Sequence, residues 1–166
     1  SDVALGNIPL KNAIHRHVSG LRVLPSLTNL EKLRNLHPQL LKDTLFHTAA
    51  LSDLIIVDGS AGLGNDATAI LEACDEVLLV CDQQAPSLQD AKSAALIAEN
   101  LRRPILGLVL NKVQKKRNLI PPQEAEKIVG VPIISLIPFD KAIGKSHLKG
   151  HPVVISHPRS KSAKAH

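Results

Sequence analysis

Aromatic side chains are almost absent from this sequence: Phe46 and Phe139 stand alone among 166 residues, with no Tyr and no Trp. Its core must be aliphatic, built from Leu, Ile, Val and Ala. The stacking platforms that hold single-stranded nucleic acid are missing too. Cys74 and Cys81 form no CxxC pair and read as reduced, partly buried thiols of a cytosolic protein. No apolar run reaches the ~20 residues of a membrane-spanning helix, and no signal peptide is visible. Methionine is absent and the chain opens on Ser1, which fits a processed chain or a fragment.

What is present is enough to fold. The length suits one domain, with 44% hydrophobic and 21% charged residues. The net charge is +5, with much of the excess in two clusters, 112–117 and 141–164. A basic balance invites a nucleic-acid reading. The clusters flank a candidate ligand edge, however, and no nucleic-acid reader motif accompanies them, so nucleic acid is not the expected partner.

Taken in order, the chain alternates strand and helix patterns. Pro9 suits the first turn of a helix, with Leu10, Ala13 and Ile14 at helical spacing. His15 and His17, two apart, would leave such a helix on different faces, which argues against a shared metal. Residues 21–24 read as a short strand stopped by Pro25. Ser26 or Thr28 would cap a second helix, restarted at His37-Pro38 and continued by Leu40, Leu41, Leu45 and Ala49. Residues 54–57 form a continuously apolar run, as expected of a buried parallel strand. It ends at Asp58 and a loop of small residues, and a helix follows over about 65–73. Strand 76–81 comes next, then a helix from Pro86-Ser87 to about Leu101 with Leu88, Ala91, Ala95 and Ala98 on its inner face. Strand 105–110 ends in Asn111-Lys112. A helix over 122–129 is stopped by Gly130, strand 133–137 by Pro138. Helix 140–149 precedes an extended segment at 152–155 and a Ser/Lys-rich tail. This alternation implies crossover connections and a mostly parallel α/β sheet with helices on both faces.

Candidate chemistry lies at the strand ends, where open α/β sheets bind ligands. These ends carry Asp58, Asp82, Asn111-Lys112 and Pro138-Phe139-Asp140. An acid could hold Mg²⁺ or orient water near phosphates, and an amide could read a base edge. Alternatively, Asp82 satisfies backbone amides of the next turn, Asn111 forms a strand-end turn, and the lysines make a solvated face.

The residues also carry a resemblance. Asp53–Gly64, DLIIVDGSAGLG, resembles the Walker B and switch II segment of the MinD/ParA family of deviant Walker A ATPases. The similarity continues through 73–80 (ACDEVLLV), 87–91 (SLQDA), 107–113 (GLVLNKV), 137–140 (IPFD) and 149–154 (KGHPVV), in the family's order and spacing, and fits the MinD branch better than the DNA-partitioning branch. It implies a P-loop NTPase-like fold of the SIMIBI class with its first βα unit missing, a single domain over 1–166 that corresponds to the later part of the ATPase. No KGGxGKT or GxxxxGK[ST] sequence occurs; Gly144-Lys145-Ser146 lacks the earlier glycine and falls in a helix.

Residue by residue, the resemblance gives Asp58 a water-mediated hold on Mg²⁺ and Gly62 a backbone N–H to the γ-phosphate. Gly59 occupies a place where relatives carry proline or another small residue. Asn111 would read the adenine, Lys112 would lie along the base, and Pro138 and Asp140 would close the pocket. The ligand implied is ATP with Mg²⁺. The complete protein is expected to be a homodimer whose nucleotide state controls a regulatory partner, in cell-division site selection. It would be cytoplasmic, reaching the inner face of the membrane through a C-terminal helix absent from these residues. This chain alone is expected to be inactive in hydrolysis. The alternative is a non-catalytic relative acting as a protein-binding module.

Overall fold

The computed structural model describes Val3 and residues 8–25, 38–59 and 65–165. They form two compact units, 1–74 and 75–166.

In the first unit, α1 (Leu10–Ala13) starts after Pro9, and β1 (His15–Arg16) pairs antiparallel with β2 (Arg22–Val23). The helix expected to continue through His17 stops early, and His15 lies exposed in β1. Gly20, at φ +89°, lets the chain reverse between the strands, and the Arg22 guanidinium donates to the Leu51 carbonyl. The helix α2 (Pro38–Ala49) packs on α3 (Asn65–Ala73), with Lys42 and Glu72 in an ion pair of 3.5 Å. The proposed caps Ser26 and Thr28 lie outside the described residues.

The apolar run 54–57 is not a strand. It is irregular, with Leu54 77% and Ile56 85% exposed. An apolar run creates a demand for burial, but a strand exists only where a neighbour completes its hydrogen bonds. Among the described residues of this unit, β1 and β2 already pair with each other.

The second unit is the parallel sheet that the alternation predicts. Its order is β3 (Val77–Cys81), β4 (Ile105–Val113), β5 (Ile133–Pro138), each neighbour parallel. The crossovers are α4 (Ala85–Asn100) and α5 (Pro122–Val129). Leu88, Ala91, Ala95 and Ala98 are the buried residues of α4, at the spacing of one helix face. Small alanines let the helix approach the sheet closely, and fully burying Leu88 contributes about 1.5–3 kcal/mol. Leu108 and Leu110 of β4 are fully buried in the sheet's centre. β3 alternates strictly: Val77, Leu79 and Cys81 are buried, whereas Leu78 and Val80 are exposed. Beyond β5 come α6 (Lys141–Leu148) and α7 (Val153–Ser156). The expected extended segment at 152–155 is instead this single helical turn, which Pro152 opens at φ −59°.

Candidate nucleotide-binding strand ends

The sequence ended β4 at Leu110, but the strand runs on through a bulge to Val113. Lys112 has φ +54°, and its N–H donates to Asn111 Oδ1 at 2.8 Å. Asn tolerates such local side-chain bonding, which gives the Lys112 N–H a partner where the bulge interrupts the ladder. Val113 then pairs with Pro138, and the Phe139 N–H donates to the Val113 carbonyl at 3.0 Å. This places Asn111, Lys112, Pro138 and Asp140 together at the carboxyl ends of two neighbouring strands. Lys112 is exposed; Asn111, Pro138 and Asp140 are half-buried.

Asp140 is committed to structure. Its Oδ1 accepts from the Ala142 N–H at 2.8 Å and caps α6, while Oδ2 accepts from the Ser162 N–H at 3.2 Å and the Ser162 hydroxyl at 3.3 Å. Those bonds, with the Ala142 amide contributing most, hold its carboxyl below the usual carboxylate range. Asp82 does as the turn reading expects: its carboxylate accepts from the Gln84 N–H at 3.0 Å and from the Gln84 side-chain amide at 3.1 Å.

Beside Asn111 lies a cavity of about 250 Å³, walled by Ile143, Ser146 and His147 of α6 and by His151 and Val153. That is below the usual volume of a whole-ligand pocket and suits one ring system with its polar edge. The Asn111 amide fits adenine in kind, since it offers both a donor and an acceptor. Ser146 itself is buried. Its hydroxyl donates to the Ala142 carbonyl at 2.8 Å and lies 2.6 Å from Ser156 Oγ and 3.0 Å from His157 Nδ1. The Gly144-Lys145-Ser146 triplet thus sits within α6, and its serine is occupied in joining α6 to α7.

In the first unit, Asp58 is exposed at the end of the irregular segment. Mg²⁺ accepts a single carboxylate together with water and phosphate oxygens, so Asp58 fits the chemistry of such a site. A Cβ at Gly59 would meet Ile70 at an ordinary 3.9 Å, so the position has room for a small side chain. Gly62 lies outside the described residues. Among the described residues, no group of three or more His, Cys, Asp or Glu is placed to hold a metal.

The fold has close counterparts among solved structures. The cell division ATPase MinD of Pyrococcus furiosus superposes with a TM-score of 0.88 at 32% identity, covering 99% of this chain and 70% of that one. The chain belongs to the MinD/ParA family. Septum site-determining MinD from Pyrococcus horikoshii, solved with Mg-ADP, matches with a TM-score of 0.88 at 28% identity, over 99% of this chain and 68% of that one. An uncharacterized ATP-binding protein of Methanocaldococcus jannaschii is 30% identical over 165 residues, 99% of this chain and 62% of its own length. The MinD/ParA chain described here thus spans about three fifths of that relative. No family model matches it.

Sequence reasoning missed Gln83 and the Ser146–Ser156–His157 cluster. Both depend on partners brought near by the fold, and no local pattern announces them.

Proposed function

We propose that this chain carries the base-binding part of a MinD-like nucleotide switch, in which ATP with Mg²⁺ controls dimerisation and the binding of a regulatory protein. The observation that carries this reading is the Asn111–Lys112 bulge fastened beside Pro138 at the carboxyl edge of β4 and β5. In this reading Asn111 pairs with the adenine edge, Lys112 covers the base, and Pro138 and Asp140 close the site from the neighbouring strand end, beside the cavity rather than in its walls. Asp58 holds Mg²⁺ through water and Gly62 senses the γ-phosphate. Cell-division site selection is the biological setting we infer. No helix among the described residues is long and apolar enough to cross a membrane.

A fluorescent adenine nucleotide titrated with Mg²⁺ tests the assignment. Wild-type protein should bind it in preference to the guanine analogue. Asn111→Ala should weaken binding about tenfold, the size expected for losing hydrogen bonds to the base. Equal binding of both nucleotides by wild type and variant would remove Asn111 from the site.

One observation favours a second reading, a protein-binding module that does not hydrolyse ATP: both oxygens of the Asp140 carboxylate are already taken up by Ala142 and Ser162. Absence of any nucleotide binding in the same titration would support it.

A further inference from the structure

We propose that Gln83 is the positioning residue of this strand end, a single buried amide that fixes the segment 111–120 by holding the start and finish of its loop; its link to nucleotide rests on the reading above. Gln83 follows Asp82 at the carboxyl end of β3 and is 3% exposed. Its side-chain Oε1 accepts from the Gln114 N–H at 2.7 Å, and its Nε2–H donates to the Ile120 carbonyl at 3.0 Å. Its backbone carbonyl accepts from the Ile120 N–H at 3.1 Å. These bonds all end on the loop between β4 and α5.

The chemistry asks for an amide. One end of the loop presents an N–H and the other a C=O, and only a group with both an acceptor and a donor answers both. A carboxylate would face the Ile120 carbonyl with a second acceptor, and an ammonium would face the Gln114 N–H with a second donor. Burial raises the stakes, because Gln83 itself lies away from water and a polar group mismatched there goes uncompensated.

The position of the tie matters as much as its chemistry. Just before it, the bulge at Asn111–Lys112 interrupts the ladder, so β4 and β5 alone do not determine how the strand continues. Val113 is held from β5 by the Phe139 N–H and Gln114 is held from the β3 side by Gln83. Consecutive residues are therefore anchored from opposite directions, immediately after the two side chains assigned to the base. Between the ties, Lys115, Lys116 and Arg117 are exposed. Gln83 would not touch the ligand; it acts through Gln114 and Ile120.

Two measurements on the full chain test this, each with Gln83→Ala and Gln83→Glu. In brief trypsin digestion read by mass spectrometry, cleavage after Lys115, Lys116 and Arg117 should rise about tenfold relative to cleavage after Lys127 in α5, the size expected for losing buried hydrogen bonds. Gln83→Glu retains the acceptor for Gln114 but sets a second acceptor against the Ile120 carbonyl, so it should open the loop as well. A uniform rise at all sites would mean general destabilisation and would overturn the inference. In the nucleotide titration, the preference for adenine over guanine should fall in step with loop opening, a ratio that a smaller folded fraction does not change. A wild-type preference kept intact in Gln83→Ala would also overturn it. A wild type without preference would instead sink the nucleotide reading, and the digestion would then decide the tether by itself.

Discussion

Gly107 shows how one missing side chain shapes the sheet. It sits at φ +150° where the β3–β4 register shifts, and a Cβ there would lie 2.5 Å from Ile134 Cγ2 on β5. Gly107→Ala should therefore destabilise the protein by about 1–3 kcal/mol through overpacking, measured by denaturant unfolding. Adding Ile134→Ala should recover part of the loss, as the collision disappears while the backbone strain remains. Asp140 carries a different signature. Its carboxyl titrates below the ~3.9 of an unfolded aspartate, so its contribution is fully present above that pH and is lost as pH falls through the lower folded value. Acid titrations of wild type and Asp140→Asn should differ in stability near neutrality and converge below about pH 4; a constant gap would contradict the assignment. Both residues were visible in the sequence, but as different things. Gly107 read as part of an apolar run and Asp140 as a pocket residue, because the contacts that define them come from β5 and from Ser162.

At the scale of elements, helix ends divide by how well the sequence suits them. α5 stops at Gly130, which takes φ +80° without a Cβ penalty. α4 stops less comfortably: Arg102 takes φ +54° while the Arg103 N–H reaches back to the Ala98 carbonyl at 2.8 Å. Arg102→Gly should relieve about 1 kcal/mol of left-handed strain, seen as a higher melting temperature; an unchanged or lower one would show that the arginine side chain compensates. The inner face of α4 was legible because Leu88, Ala91, Ala95 and Ala98 repeat along one continuous stretch. The three parallel strands of the second unit were legible for the same reason. The run 54–57 was not, since apolar composition states a preference for burial and says nothing about a pairing partner. The extension of β4 through Lys112 was equally hidden: it depends on Pro138 and Phe139, more than twenty residues away in the chain.

For the molecule as a whole, the proposed site residues fall into the two units unequally. Asn111, Lys112, Pro138 and Asp140 share one sheet edge, while Asp58 belongs to the other unit. The sheet register explains why these four meet. β3 carries the buried Cys81, whose thiol is pushed up to about 11, by burial first and by the neighbouring Asp82 charge second. At pH 8 that sulfur is a poor nucleophile until the strand opens. A thiol reagent added to the native protein should therefore modify the half-buried Cys74 first. Cys81 should follow at the rate at which the second unit unfolds, so its modification read by mass spectrometry becomes a clock. Equal early modification of both thiols would show β3 opening on its own. A bound nucleotide that braces the strand ends would slow that clock, allowing ligands to be screened by labelling time without any assay of hydrolysis.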